Sequence, residues 1–459
     1  MVNLILWNTL GTYNSIVRPV SCHELASWLR QHGYTVKVID YCALMTTEDL
    51  VSITEKYIGS ETLAIGVSST FWNPIEEMLN KPIEPQWVIN ARSKLQNKKL
   101  YWLLGGAQSG VNEGRIFDWI KFHEYSEDSL LKWMDQNSSK LIRRELFDIH
   151  NSRVSFLDDF IRPHEVLSYE MARGCQFKCK FCNYALIGKK KGTYIKDSNI
   201  VREDFIRNYN EFGVTRYWIL DDTVNESLEK IIDLADIAQS LPFEVEWVGF
   251  TRLDLIWSRP ETIQILKDSG MKSTVFGIES FHPKASMSIG KGWNGKHAKD
   301  FLLRLKDEWK DDITWTLAFI TGLPGETQES LDETAKWCVD NKMYDWFWNF
   351  LFMSRRPDKM FKSEFETDYA KFGYSFEGDS HIEWKNDLWT RTTAEAYTKH
   401  LNHISYPYRS ISGFTLSRYS SLGYSFKELT RMHIGKITES ELRLKTLKFV
   451  NEYVQYQLR

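Results

Sequence analysis

The 459-residue chain has no apolar run approaching the length of a membrane span, so nothing in it reads as a helix built to cross a bilayer. It also lacks a surplus of either charge. Its 58 Lys and Arg stand against 61 Asp and Glu, a formal net charge of −3, which leaves no electrostatic footprint for nucleic acid or an anionic membrane. The one basic run, Lys189-Lys190-Lys191, is short and reads as a solvated loop. The opening residues, MVNLILWNTLGTYN, show neither a basic leader nor a small-residue cleavage site, and the expected location is cytoplasmic. Cysteine is scarce, with six in the chain, too unevenly spaced for a disulfide framework. With 42% hydrophobic and 26% charged residues, the balance is that of a folded chain of two or three domains.

Aromatic residues, by contrast, are plentiful: 18 Trp, 21 Tyr and 26 Phe. Core packing accounts for such a wealth, and so does a cavity shaped around a large planar or apolar ligand. Short apolar runs of strand length occur at 4–8, 35–39, 63–69 and 100–104, with amphipathic helical patterns at 21–33 and 47–58. This alternation predicts a doubly wound, Rossmann-like α/β domain over 1–135, followed by a polar connector at 136–165. A second alternation begins at 166. Strands are predicted at 166–172, 215–222, 244–254, 273–280, 313–326 and 345–353, with helices at 197–212, 226–240, 260–269, 296–309 and 327–340 between them. That is the count of a partial (β/α)6 barrel over 166–357, and residues 358–459 read as a helical C-terminal region.

Three of the cysteines fall within eight residues, Cys175, Cys179 and Cys182, spaced C-x3-C-x2-C. Three clustered thiolates suit an iron–sulfur cluster, whose fourth iron would remain open to another ligand. A structural zinc site would need a fourth ligand close by, and His164 is the nearest candidate. Cys22, Cys42 and Cys338 form no second cluster by spacing and read as small buried residues.

The segment Tyr169-Glu-Met-Ala-Arg-Gly-Cys-Gln-Phe-Lys-Cys-Lys-Phe-Cys182, with the aromatic Phe181 before its last cysteine, resembles the signature of the radical-SAM superfamily. The resemblance implies a [4Fe–4S] cluster on Cys175, Cys179 and Cys182 and S-adenosylmethionine (SAM) on its open iron. One electron would then break the S–C5′ bond to give a 5′-deoxyadenosyl radical, with flavodoxin or ferredoxin as the reductant. Further along, Asp221-Asp222 at a strand end and Arg252 in GFTRLD stand where the family places groups near the amino and carboxylate ends of SAM. Gly277-Ile278-Glu279-Ser280 resembles a strand end that meets the ribose. Phe319-Ile-Thr-Gly322-Leu323-Pro-Gly325-Glu-Thr327 resembles the turn beside the adenine. All of them fall at carboxyl ends of predicted strands, the catalytic face of barrels.

The N-terminal region is similar to the cobalamin-binding domain of cobalamin-dependent radical-SAM enzymes, on Val38-Ile39-Asp40, Ser68-Ser69-Thr70 and Leu104-Gly105-Gly106. The resemblance implies cobalamin over the carboxyl edge of the sheet, near Tyr13, Asn14, Ser68, Ser69, Thr70, Gly105 and Gly106. Two features depart from it: the D-x-H-x-x-G motif is absent, and Phe122–Glu127 stands in place of a glycine-rich turn. The function expected is a radical-SAM enzyme that is cobalamin-dependent, with C-methylation of an unactivated carbon on a small molecule or peptide as its reaction. The alternatives are a radical rearrangement or cyclisation enzyme with a vestigial cobalamin domain, and a non-catalytic iron–sulfur binding protein.

Overall fold

Each of the four apolar runs near the N-terminus forms a strand in the computed structural model: β1 Leu4–Trp7, β2 Val36–Ile39, β3 Ala64–Ser68 and β4 Tyr101–Gly105. Their side chains are buried on both faces almost throughout, the condition of a parallel sheet covered by helices. A two-residue strand, β5 Ile120–Lys121, extends the sheet to the order β2-β1-β3-β4-β5, and its pairs are parallel. The strand order switches between β1 and β3, so the loops after these strands diverge and open a crevice at the carboxyl edge. Helix Ser21–Gln31 packs Ala26 and Leu29 against Leu4, Leu6 and Val36, closing one face of the core. Helix Thr47–Tyr57 starts where the Thr46 hydroxyl accepts the Asp49 N–H at 3.1 Å.

The structure describes residues 2–10, 16–70, 72, 84–96, 98–106, 109–110, 115–123, 126–138, 146–157, 159–183, 194–310, 312–357, 359 and 361–459. Tyr13, Asn14, the 189–191 lysine run and residues 124–125 therefore lie outside the described residues.

The second sheet has six strands: β6 Val166–Tyr169, β7 Arg216–Ile219, β8 Glu246–Thr251, β9 Met271–Glu279, β10 Thr314–Thr321 and β11 Asp345–Phe350. They lie side by side in chain order, and the pairs from β7 to β11 are parallel. Helices Leu228–Ser240, Thr262–Asp268, Gly295–Trp309 and Gln328–Asp340 connect successive strands, as the partial barrel requires. Several strands stop short of their apolar runs. TRYWILDD, for example, yields Arg216–Ile219 alone, because Asp221 leaves the ladder and turns its carboxylate to backbone amides.

Two compact units divide the chain. One comprises Met1–Ser168, Glu203–Val214 and Thr438–Arg459, the other Tyr169–Arg202 and Thr215–Ile437. The final helix, Glu439–Leu458, thus belongs with the first unit, where Phe449 and Tyr453 are fully buried. Beyond β11 the second unit adds an antiparallel ribbon, β12 Ser375–Phe376 with β13 Trp384–Lys385, and helices Arg391–Ser405 and Gly413–Ser420. Much of the aromatic wealth goes into the cores. Trp247, Trp309, Trp315, Trp346, Trp348 and Trp384 are fully buried in the second unit, and Trp7 in the first.

Candidate active site

The cysteine loop leaves β6 and returns to it. The Lys196 N–H reaches the Met171 carbonyl at 2.7 Å, the Arg173 N–H reaches the Tyr194 carbonyl at 3.0 Å, and Ala172 bridges Ile195. Inside this closed neck Cys175, Cys179 and Cys182 are all partly exposed, and none is in a disulfide. The Cys182 N–H donates to the Cys179 carbonyl at 3.0 Å, closing a tight turn between the last two cysteines. Phe181 is half-buried in the same loop. Arg252, at the end of β8, donates from Nη1 to the Cys179 sulfur at 3.5 Å, lies over the Phe177 ring at 4.1 Å, and pairs with Asp254 at 2.7 Å.

The three thiols fit an iron–sulfur cluster better than a single zinc ion. Tetrahedral zinc, with bonds of about 2.3 Å, would bring its sulfurs within about 4 Å of each other. Among the described residues, the one trio of ligand-type side chains within 4.8 Å of one another lies elsewhere, at His23, Asp40 and Asp159. Wider spacing is what three ligands on three different irons need.

Below the loop, Asp221 is fully buried and accepts the N–H groups of Met171 (2.8 Å) and Ala172 (2.9 Å). Asp222 next to it remains partly exposed. Thr223 brings its hydroxyl to 3.4 Å from the Cys175 sulfur.

At the end of β9 the backbone of Glu279 adopts φ +65°, a left-handed conformation that costs a non-glycine residue energy. A bulge in the β9–β10 register at this point places Phe319 opposite Glu279. The Glu279 carboxylate folds back over Gly277, where a Cβ would meet Oε1 at 2.6 Å and push the carboxylate aside. Lys291, absent from the sequence reading, ties the arrangement together: its Nζ donates to the Gly277 carbonyl and lies 3.1 Å from Glu279 Oε1. Ser280 is buried; its hydroxyl donates to Glu326 and accepts the His282 N–H at 2.9 Å.

The turn after β10 is held from the C-terminal side of the chain. The Gly322 carbonyl accepts the Tyr374 hydroxyl at 2.8 Å and the Asn386 amide at 3.2 Å, while Trp384 packs so close to Gly322 that a Cβ there would clash at 2.6 Å. Trp389 Nε1 donates to the Glu326 carbonyl at 2.7 Å, and Leu323 is fully buried. Gly322 (φ +98°) and Gly325 (φ +79°) supply the left-handed bends. The part of the C-terminal region that buttresses this turn is not helical: it is the β12–β13 ribbon and the residues flanking it, Tyr374, Trp384, Asn386 and Trp389. Sequence patterns gave no signal for it, since the contacts join residues some 50 to 65 positions apart.

Burial pushes the Glu326 carboxyl up from 4.5 to about 8, with the Ser280 hydroxyl bond pulling the other way. The folded protein therefore holds this proton over a window in which the unfolded chain has lost it, and stability falls as pH rises from about 4.5 to about 8. One such group contributes at most about 1.4 kcal/mol per pH unit. Urea unfolding at pH 5, 6, 7 and 8 should show a shallower decline in Glu326→Gln than in the parent, because Gln still accepts from Ser280. Parallel curves would exclude a buried neutral acid.

In the first unit, the loops after β3 and β4 meet. The buried Ser69 gives both its N–H (2.8 Å) and its hydroxyl (2.6 Å) to the Gly105 carbonyl. Ser68 and Gly106 are partly exposed and Thr70 is exposed. A Cβ on Gly105 would point into open space, whereas one on Gly106 (φ +91°) would strike Thr70 at 2.5 Å.

A buried ion network near the ends of β1 and β2 gave little sign of itself in sequence beyond Asp40 at a strand end. Arg18 Nη1 bonds both Asp40 and Asp159, and Nη2 lies 3.3 Å from Glu165. His23 Nε2 stands 2.9 Å from Asp40, Asn8 Nδ2 2.6 Å from it, and Tyr453 accepts the Asp40 N–H at 2.9 Å. Burial alone would raise Asp40, but His23 and Arg18 hold its carboxyl well below the usual range, while burial pushes its neighbour Asp159 up. The guanidinium already supplies the positive charge that a cation would bring to this trio.

The second unit thus brings together a six-stranded sheet in chain order and three partly exposed thiols in the loop after its first strand. Residues 169–338 match the Radical SAM superfamily. An uncharacterized methyltransferase of Pyrococcus horikoshii is 28% identical over 165 residues, which are 36% of this chain and 35% of that protein. The anaerobic magnesium-protoporphyrin IX monomethyl ester cyclase of Cereibacter sphaeroides is 27% identical over 37% of this chain and 27% of its own length. The matched region is thus about a third of these curated relatives or less. Among solved structures, the radical SAM methyltransferase TsrM from Kitasatospora setae, with cobalamin and a [4Fe-4S] cluster bound, superposes with a TM-score of 0.62 at 13% identity, covering 98% of this chain and 100% of that one. The cobalamin-dependent radical enzyme OxsB, with aqua-cobalamin and S-adenosylmethionine bound, gives 0.57 at 15% identity over 75% of this chain and 53% of its own. At these identities the likeness is one of fold. It extends to both of the domain types expected from sequence.

Proposed function

We propose that the protein is a cobalamin-dependent radical-SAM enzyme that transfers a methyl group to an unactivated carbon of a small molecule or peptide. The observation that carries the reading is the strand-end set in the second unit: three partly exposed thiols in one loop, with the Glu279 carboxylate held over Gly277 by Lys291 at the same sheet edge. A scaffold protein has no use for the strained backbone at Glu279. A [4Fe–4S] cluster, when bound, supplies the electron that breaks the S–C5′ bond of SAM.

The residues' own parts follow from their surroundings. Cys175, Cys179 and Cys182 hold the cluster and leave one iron to the methionine end of SAM. Glu279 accepts from the ribose hydroxyls, with its carboxylate oriented by the Lys291 Nζ 3.1 Å away. Arg252 sets a positive charge beside the Cys179 sulfur, and Asp222 is the partly exposed acid available to the amino group. The Gly322–Gly325 turn offers backbone to the adenine, and Leu323 behind it excludes water. The electron comes from a reductant of the flavodoxin or ferredoxin kind.

Cobalamin would lie on the first unit at the β3–β4 edge, where Gly105 faces open space and Ser68, Thr70 and Gly106 surround it. Replacing Gly105 by Phe would put a ring into that space, since a Cβ at this position meets nothing within 4 Å. We expect the anaerobically prepared protein to bind hydroxocobalamin at micromolar concentration, and Gly105→Phe to weaken binding at least about tenfold, or 1.4 kcal/mol, with an unchanged melting temperature. Absorbance titration measures both. If the parent binds no corrinoid, the rearrangement or cyclisation reading takes over. Ser69, whose hydroxyl and amide are already spent on Gly105, favours that second reading.

A further inference from the structure

Lys230 has no place in the roles assigned above, yet its ammonium is among the most deeply buried charges in the second unit. It stands on helix Leu228–Ser240 with its side chain 1% exposed. Its Nζ lies 2.6 Å from the Asp221 carboxylate, 3.0 Å from Glu226 and 3.5 Å from the Thr223 carbonyl. Each of these partners grips a different part of the cysteine loop. Asp221 takes the Met171 and Ala172 N–H groups where the loop departs. Thr223 touches the Cys175 sulfur. The Glu226 carbonyl accepts the Gln176 side chain at 2.6 Å, one residue past Cys175, and its carboxylate accepts the Tyr194 hydroxyl at 3.4 Å where the chain returns.

Lys230 is the cation that bridges these two buried carboxylates and offsets their burial beside each other. Without it, the pair loses the contact that holds both in place, and their grip on the loop loosens. The first turn of the helix fixes Lys230 in place, since the Ser227 hydroxyl accepts its N–H at 3.2 Å.

We propose that Lys230 is a positioning residue for the cluster-binding loop, acting through Asp221 and Glu226 to set the neck of the loop and the position of Cys175. The inference rests on the cluster reading for its consequence in iron binding, and on the protein alone for its consequence in the loop.

The test uses the full-length protein as Lys230→Met and Lys230→Arg, first without iron. Hydrogen exchange of the Met171 and Ala172 amides is read against the Val275 and Phe276 amides of β9 as an internal reference. Lys230→Met should speed exchange at Met171 and Ala172 at least tenfold with the reference amides unchanged, and Lys230→Arg should restore most of the protection. After anaerobic reconstitution, Lys230→Met should hold less than half the iron of the parent. Unchanged exchange at Met171 and Ala172 in Lys230→Met would overturn the proposal. Equal acceleration at β9 would overturn it too, since Lys230 would then serve the whole fold. A parent that binds no iron, with the selective exchange effect intact, would count against the cluster reading and leave the positioning role standing.

Discussion

Cys179→Ala is expected to take iron from about four per chain to the background level and to abolish 5′-deoxyadenosine formation, while the protein stays folded. The reason lies in how little else this thiol does. Cys179 is partly exposed, and among the described residues its sulfur's hydrogen-bonding partner is the Arg252 guanidinium, at 3.5 Å. Removing the sulfur leaves Arg252 paired with Asp254 at 2.7 Å and stacked on Phe177, so no buried charge is stranded. A substitution of this kind costs about 1 kcal/mol or less. The cluster, by contrast, loses one of three protein ligands. Iron analysis, the absorbance of the reconstituted protein and a thermal melt separate the two effects. Turnover that persisted in Cys179→Ala would remove the loop from the chemistry.

Asp40→Ala should be the most destabilising single change in the first unit, by about 3 to 5 kcal/mol, the range for breaking a buried ion pair from one side. Its carboxylate is fully buried and shared by Arg18, His23 and Asn8, and its backbone is bonded to Tyr453 on the last helix. Alanine would leave Arg18 facing Asp159 and Glu165 alone and His23 with no partner at Nε2 but a 3.9 Å approach to Asp159. Because the folded carboxyl sits below its ordinary range, the stability it contributes is present above pH 4 and is lost as pH falls through its folded value. Urea midpoints at pH 7 check the magnitude. A midpoint at pH 7 that hardly moves would mean that Arg18 is fully served by its other two acids.

What could be read from sequence was whatever is written in a local pattern. The first four strands of the first sheet and the six of the second showed as short apolar runs, because strands covered on both faces are largely apolar, whereas the two-residue β5 was too short to show. The cysteine loop and the Gly277–Ser280 and Gly322–Gly325 strand ends showed because their chemistry is carried by neighbours in sequence. Lys230, Lys291 and Glu326 did not. A lysine in an amphipathic helix reads as surface, and only the fold brings Lys230 against Asp221. Likewise, nothing near residue 326 announces that Ser280 will donate to it from another strand end. Asp221 and Ser280, read from sequence as facing a ligand, have a carboxylate and a hydroxyl already engaged within the protein. The network around Arg18 escaped for the same reason: its acids come from residues 40, 159 and 165, two of them in a stretch whose composition reads as a connector.

Three thiols in this loop are proposed to hold a cluster at which SAM is cleaved. The most direct measurement is to reconstitute the full chain without oxygen, reduce it, add SAM, and record both its paramagnetic spectrum and the 5′-deoxyadenosine released. The expected result is about four irons per chain, a reduced-cluster signal that changes when SAM is added, and slow release of 5′-deoxyadenosine even without substrate. Stoichiometric zinc in tetrahedral sulfur coordination, with no iron and no 5′-deoxyadenosine, would contradict it.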